Sequence, residues 1–334
     1  MNRRDPGRER TLTRRGFLAG ALLAFAALVP ARAADDYPAR PVRFVVPGAA
    51  GSIVDIHARK VGDMVSRAFG QPVIVENRPG SGGNLGADFV AKSRPDGYTV
   101  LVGSTSIFCV SPFVHANLPF DAERDFIPLT MGTMGNPMLV VHPGLPVQTL
   151  DEFVAYARKN PGKLSYGSPG VGSAQHLAME LLKQLTRIEV THVPYKNAPQ
   201  VLTDVISGEI HATMEYVAAT SQFLRAGKVR GIVNAGPSRK PEFPAIPTAV
   251  EAGLPDFRIF AWHGYFAPRG TPPDVAAKLQ RTLAAAVRDP DYAAWARSQG
   301  SELGGQSSAE FAAFIRRDRA LIRDIVRKAD IRLE

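Results

Sequence analysis

Two short loops built from small residues are the clearest candidates for binding chemistry in this sequence. Residues 47–52 follow an apolar run and precede a helical pattern, and residues 167–173 do the same. Small residues let backbone N–H groups approach an anion, and a helix N-terminus adds partial positive charge. The two loops therefore predict two anion cradles, while each also fits a plain strand-to-helix turn.

Side chains near these loops have simple structural interpretations as well. Ser173 is placed to cap the helix that follows it, and Asp55 is placed to interact with the dipole of the first helix. A catalytic pair formed by Asp55 and Glu215 stays open, because sequence does not show whether the two carboxylates meet in space.

Signatures of catalysis and of cofactors are missing from the sequence. There is no G-x-S-x-G, H-E-x-x-H or C-x-x-C motif, and Cys109 is the single cysteine. The seven histidines are scattered, which is typical of surface or core positions. The aromatic segment 262–266 indicates core packing or a hinge. We therefore expect no enzyme activity, no cofactor and no metal.

Composition and charge argue against nucleic acid as a partner. The 334 residues are 45% hydrophobic and 21% charged, as in ordinary globular proteins. The net charge is +9, but seven arginines against Asp5 and Glu9 place +5 of it in residues 1–33. The rest of the chain has no dense basic stripe of the kind that binds nucleic acid.

Residues 1–33 have the pattern of a twin-arginine signal peptide. Arg14 and Arg15 precede an apolar run over residues 17–29, and Ala31-Arg32-Ala33 offers a cleavage site. The run is shorter than the roughly 20 residues that span a membrane. We expect export to the periplasm and cleavage after Ala33.

Short predicted strands alternate with predicted helices along the remaining chain, as in β-α-β units. Clear examples are strand Val42–Val46, helix Ile53–Phe69, helix Leu150–Lys159 and a strand over 257–263. The chain contains two such sets of units, and its C-terminal part returns to the first set. This order predicts an α/β protein of two lobes with a ligand cleft between them. The predicted first lobe comprises residues 34–137 and 257–334, and the second 138–256.

Several motifs, in order and at matching spacing, resemble the Bug receptor family, the substrate-binding proteins of tripartite tricarboxylate transporters. The matching segments are Val75-Glu76-Asn77-Arg78-Pro79-Gly80, Pro95-Asp96-Gly97-Tyr98-Thr99, Asn160-Pro161-Gly162-Lys163-Leu164, Gly170-Val171-Gly172-Ser173, His192-Val193-Pro194-Tyr195-Lys196 and Ala267-Pro268 with Gly270-Thr271-Pro272. The resemblance covers nearly the whole chain after the leader.

The resemblance implies a type II periplasmic-binding-protein fold, the Venus-flytrap arrangement, that closes on an organic carboxylate. In such a fold, backbone N–H groups of two strand-to-helix loops would hold the carboxylate. The residues that the resemblance assigns to the ligand site are Ala49, Ala50, Gly51, Ser52, Asp55, Ser104, Thr105, Ser168, Gly170, Gly172, Ser173, Tyr195 and Glu215.

Two positions depart from the family pattern. Gly48 stands where the family usually has a phenylalanine, and we expect a wider cleft there that favours a bulky or aromatic carboxylate. Asn197 replaces a usual glycine, with Pro199 following, and we expect this loop to be reshaped.

The implied function is an exported, monomeric solute receptor that delivers a carboxylate to a membrane transporter. A receptor that presents its ligand to the sensor kinase of a two-component system is an alternative. A periplasmic enzyme that binds a cofactor phosphate at the glycine loops is a second alternative, which lacks a visible catalytic group.

Overall fold

The computed structural model describes residues 37–333, so the predicted leader lies outside the described residues. The strands in this part of the chain are β1 Val42–Val46, β2 Val73–Asn77, β3 Thr99–Ser104, β4 Phe126–Gly135, β5 Met138–Val141, β6 Ser165–Ser168, β7 Thr191–Pro194, β8 Ala212–Glu215, β9 Arg230–Asn234, β10 Ala261–Pro268 and β11 Glu302–Leu303.

The helices between and after these strands are α1 Ile53–Phe69, α2 Asn84–Ala91, α3 Ser111–Val114, α4 Leu150–Lys159, α5 Ala174–Thr186, α6 Ala198–Ser207, α7 Val217–Arg225, α8 Pro273–Val287, α9 Pro290–Ser298 and α10 Ser308–Lys328. A 3₁₀ turn at Ser81–Gly83 precedes α2, and a π-helical turn at Ser106–Val110 precedes α3. None of the described helices combines the length and apolarity needed to cross a membrane.

The strands form two sheets, one in each lobe of a two-lobed α/β fold. The first sheet has the order β11-β4-β10-β3-β1-β2, and the second β7-β6-β8-β5-β9. Strand β1 is parallel to β2 and β3, and β6 is parallel to β7 and β8, as expected of β-α-β units. Strand β10 runs antiparallel between β3 and β4, so the chain returns to the first sheet after completing the second. The residue limits proposed for the lobes stay a prediction.

Local signals in the sequence explain where the helices begin and end. Ser52 caps α1 by accepting a hydrogen bond from the backbone N–H of Asp55, and Gly70 ends the helix in the left-handed region at φ 64°. Thr149 and Glu152 form a reciprocal capping box at the start of α4. The predicted bounds Ile53–Phe69 and Leu150–Lys159 are confirmed.

Two features of the first sheet differ from the sequence pattern. The predicted strand over 257–263 is wrong in its limits, because β10 spans Ala261–Pro268. Phe257 and Ile259 are buried without belonging to the sheet, so their apolar pattern reports burial and not strand pairing. Strand β4 was not indicated by the sequence pattern.

The core beside β10 is aromatic, and it holds the strands that reach the cleft. The rings of Phe108 and Phe266 stack with centroids 3.9 Å apart, and Trp262 packs edge-on against Phe311. Gly103 leaves the room that these rings occupy, because a β-carbon there would overlap Phe108 and Phe266. Helix α10 also packs against α5 of the second lobe.

Candidate functional site

A cavity of about 390 Å³ lies between the lobes and takes its lining from both. The lining residues outside the second sheet and its helices are Ile53, Val54, His57, Ser104, Thr105, Ser106, Thr133, Met134, Gly135, Asn136, Ala261, Trp262, His263, Gln299, Gly300 and Ser301. The second lobe adds Ala174, Tyr216, Val217, Ala218 and Ala219. Larger grooves of about 630 and 530 Å³ elsewhere are lined by elements of the first lobe alone.

Three helices begin at this cavity. Ile53 and Val54 are the first two residues of α1, Ala174 is the first of α5, and Val217 and Ala218 are the first two of α7. Backbone N–H groups in the first turn of a helix have no acceptor within the helix. Together with the positive ends of the helix dipoles, these N–H groups make the cavity suited to an anion.

The first predicted loop is organised by the carboxylate of Asp55. Its Oδ2 accepts hydrogen bonds from the N–H of Gly51 at 2.8 Å and from Arg59 Nε at 3.0 Å, and its Oδ1 accepts from Asn77 Nδ2 at 2.9 Å. Burial raises the pKa of Asp55, but the hydrogen bonds from Arg59, Gly51 and Asn77 outweigh it and hold the pKa below 3.8. The carboxylate therefore stays ionised and fixes the loop.

The four loop residues before α1 lie next to the cavity without being part of its lining. Ala49, Ala50 and Gly51 are exposed, and Ser52 is half-buried. Gly51 adopts φ 77°, a backbone conformation that favours glycine. Gly48 is not a lining residue either, and its carbonyl oxygen accepts a hydrogen bond from Asn77. The wider cleft expected at Gly48 stays a prediction.

The second predicted loop is organised by two histidines. The N–H of Gly172 donates to Nδ1 of His176 at 3.0 Å, and the hydroxyl of Ser168 lies 2.7 Å from Nε2 of His192. The two imidazole rings stack with centroids 4.1 Å apart. Burial, with a contribution from His192, lowers the pKa of His176 to about 4, so this ring is neutral at pH 7.

The remaining residues of the second loop hold its path into α5. The hydroxyl of Ser168 donates to the carbonyl oxygen of Gly170, and Ser173 caps α5 by accepting from the N–H of His176. Ser168 and Gly172 are buried, while Gly170 and Ser173 are half-buried. The first helical residue after them, Ala174, reaches the cavity.

Ser104 and Thr105 are the two predicted site residues that line the cavity itself. The hydroxyl of Thr105 accepts a hydrogen bond from the backbone N–H of Trp262 at 2.8 Å. The indole N–H of Trp262 donates to Oδ2 of Asp318 at 2.7 Å. Thr105 and Asp318 therefore hold Trp262 from two sides.

Tyr195 and Glu215 lie outside the lining. The hydroxyl of Tyr195 donates to Asp204, and Asn197 caps α6 instead of facing the cavity. Oε1 of Glu215 accepts from the N–H of Tyr216 at 2.9 Å, and burial raises the pKa of this carboxyl. Asp55 and Glu215 have separate partners: Asn77 donates to Asp55, and Gln175 donates to Glu215. Within residues 37–333, no group of three His, Cys, Asp or Glu side chains is arranged to hold a metal.

Two histidines that sequence reasoning assigned to the surface or core also line the cavity. Nδ1 of His57 lies 2.7 Å from the hydroxyl of Tyr292, and Nδ1 of His263 lies 3.3 Å from the hydroxyl of Thr133. Burial lowers the pKa of His57 to about 4 and that of His263 to about 3. Both rings are uncharged at neutral pH, and in the described residues the Nε2 atom of each is buried without a hydrogen-bond partner.

The sequence contains a signal for one part of the lining that was missed. Val217 follows Glu215 and Tyr216 at the carboxyl end of β8, and ligands of open α/β sheets bind at such ends. Trp262 and the segment 299–301 have no comparable signal, because long-range packing brings them to the cavity.

Comparisons with known proteins agree with this fold. The family model described as tripartite tricarboxylate transporter family receptor matches residues 57–331. A protein of the tcbD-tcbE intergenic region of Pseudomonas sp. strain P51 is 36% identical, with 87% of each chain covered. Protein BugT of Bordetella pertussis is 33% identical, with 83% of this chain and 85% of BugT covered. The structure of R. palustris Rpa4515 with adipate matches with a TM-score of 0.76 at 33% identity, covering 89% of this chain and 99% of that one.

Proposed function

Because the chain belongs to the tripartite tricarboxylate transporter receptor family, we propose that it is an exported periplasmic receptor that binds an organic carboxylate between its lobes and delivers it to a membrane transporter. The adipate bound to the relative Rpa4515 supports a carboxylate as the ligand class. The sequence pattern of residues 1–33 supports export by the twin-arginine route.

The observation that carries the ligand class is the meeting of three helix N-termini at one cavity between the lobes. A carboxylate there would accept hydrogen bonds from the first-turn N–H groups of Ile53, Ala174 and Val217. These groups belong to both lobes. An anion that bridges them therefore binds the closed conformation more tightly than an open one. This difference in affinity is what shifts the equilibrium toward the closed conformation.

Asp55 and His176 contribute by keeping the two loops in place. Each accepts a hydrogen bond from a loop N–H group, at Gly51 and Gly172 respectively. These contacts pre-organise the backbone before a ligand arrives, and less conformational freedom is then lost on binding. In this proposal the predicted site residues of both loops position the helix N-termini that contact the carboxylate.

The test removes one N–H group and leaves the helix intact. Proline is compatible with the first position of a helix, and Ser52 has the extended backbone that a following proline requires. Ile53→Pro deletes the N–H of Ile53, whereas the control Ile53→Ala shortens the same side chain and keeps the N–H. Both variants and the wild type, purified after export of the full chain, would be titrated calorimetrically with aliphatic and aromatic carboxylates.

We expect at least one carboxylate to bind the wild type and to raise its melting temperature, because a ligand of the folded state stabilises it. Ile53→Pro should weaken binding about 10- to 100-fold, which corresponds to one hydrogen bond to a charged group at roughly 1.5–3 kcal/mol. Ile53→Ala should change affinity far less. Equal affinities of Ile53→Pro and Ile53→Ala would show that the carboxylate does not bind at the start of α1.

A further inference from the structure

Resting on the receptor function proposed above, we propose that the cavity selects a carboxylate with a single ionised group on a flat apolar body, and that Trp262 is the residue that determines this selection. The structural basis is the distribution of charge around the cavity together with the fixed position of the Trp262 ring.

The cavity offers no cationic side chain to a second carboxylate. None of the side chains that line it within residues 37–333 is an arginine, lysine, aspartate or glutamate. Its two histidines are neutral at pH 7. Positive potential therefore comes from the helix N-termini, and a carboxylate beyond their reach would be desolvated without a compensating charge.

Two acidic side chains, Glu215 and Asp318, contact residues that line the cavity. Glu215 accepts a hydrogen bond from the backbone N–H of Tyr216, and Asp318 accepts one from the indole N–H of Trp262. Both carboxylates are at least nine-tenths buried and lie directly behind lining residues. They disfavour a second anionic group at this end of a ligand.

Apolar side chains make up much of the remaining wall. Ile53, Val54, Met134 and Val217 line the cavity beside Trp262. A cavity of about 390 Å³ is within the size range of small-molecule sites, and a ring-bearing acid suits its walls better than an extended diacid.

Trp262 is held in one orientation by contacts with three other residues. Its backbone N–H donates to the hydroxyl of Thr105, its indole N–H donates to Asp318, and its ring packs edge-on against Phe311 at 5.4 Å between centroids. An aromatic ring whose orientation is already fixed loses little freedom when a ligand packs against it. Pairs of aromatic rings also gain free energy beyond the area they bury.

The experiment measures selectivity by calorimetric titration of the wild-type protein, purified after export of the full chain, at pH 7.5. The probes are benzoate and phenylacetate as aromatic monocarboxylates, and succinate and adipate as diacids. Trp262→Leu removes the aromatic ring. Phe260→Leu is the matched control, because Phe260 is an aromatic residue two positions away that does not line the cavity.

We expect an aromatic monocarboxylate to bind at least tenfold more tightly than either diacid. Trp262→Leu should weaken this binding roughly tenfold, and Phe260→Leu should leave it within about twofold. If Trp262→Leu does not fold, Trp262→Phe, which keeps a ring but not the indole N–H, should retain the aromatic preference.

Other outcomes separate the two proposals. Tighter binding of adipate or succinate than of both aromatic acids would overturn this inference and leave the receptor function standing. Unchanged selectivity in Trp262→Leu would overturn the assignment of Trp262. Failure of the wild type to bind any carboxylate of the wider panel would overturn the receptor function itself.

Discussion

The buried carboxyl group of Asp318 allows a prediction whose size follows from the structure. Asp318 lies on α10 and is 5% exposed, and its partners are the indole N–H of Trp262 and the thiol of Cys109. Burial raises its pKa from 3.8 to about 6, against the opposing effect of these two hydrogen bonds. Ionised Asp318 is therefore less favourable in the folded protein than in the unfolded chain.

The sign and size of the effect on stability follow from linkage. A raised pKa in the folded state means that the stabilisation is complete below pH 3.8 and is lost as the pH rises through about 6. Each pKa unit corresponds to 1.36 kcal/mol, so the loss reaches about 3 kcal/mol at pH 8. Asp318→Asn keeps an oxygen that can accept from Trp262 and removes the ionisation.

The assay is urea unfolding of wild type and Asp318→Asn at pH 4 and pH 8. The free energy of unfolding of Asp318→Asn minus that of wild type should be about 2.5 kcal/mol larger at pH 8 than at pH 4, because wild type alone loses stability over this range. Taking the difference between the two proteins cancels the titration of distant groups. The control is Asp324→Asn, which makes the same substitution at an exposed position on the same helix.

A difference between wild type and Asp318→Asn that does not change with pH would refute the reasoning. It would mean that Trp262 and Cys109 stabilise the carboxylate enough to cancel the cost of burying it.

Three further changes probe the loops and the core. His176→Asn keeps an acceptor for the N–H of Gly172 and removes the titration of the imidazole. Wild type holds the stability from the neutral ring above pH 6.5 and loses it as the pH falls through about 4, so the difference in the free energy of unfolding between pH 7 and pH 4 should be about 3 kcal/mol smaller in His176→Asn than in wild type. Urea titrations at the two pH values measure this difference, and an unchanged acid sensitivity would contradict the neutral role of His176. Asp55→Asn should cost about 1–3 kcal/mol at pH 7, measured by urea unfolding. The cost should fall below pH 3.8, because Asp55 of the unfolded chain protonates there and folded Asp55 protonates only at a lower pH. A cost that persists in acid would exclude a charge effect. Gly103→Ala should lower the melting temperature by overlap with Phe108 and Phe266, at a cost of about 1–3 kcal/mol, and a neutral result would show that these rings can move.

Features encoded over a few residues could be predicted from the sequence. Helix α1 begins where Ser52 can cap it and ends where Gly70 adopts a positive φ, and both signals lie within the segment itself. Helix α4 carries its own capping box. Family membership could also be predicted, because many short motifs occur in order along the chain.

Strand β4 could not be predicted from local signals of this kind. Its sequence, Phe126–Gly135, includes Pro128, Gly132 and Gly135 and has no regular alternation of apolar and polar residues. It is a strand because β10 and β11 pair with it on either side. Strand pairing between segments more than a hundred residues apart leaves no pattern within either segment.

The candidate site also has some parts that the local sequence predicts and others that depend on the fold. Local sequence was enough to predict that two loops precede helix N-termini and that Ser104 and Thr105 lie at the end of a strand, because these facts depend on neighbours in the chain. The three-dimensional fold was needed to show that Asp55 forms hydrogen bonds within its own loop, and that Val217, His57 and Trp262 line the cavity. Capping hydrogen bonds form between residues three apart, whereas a cavity between lobes depends on contacts among distant segments that no local spacing specifies.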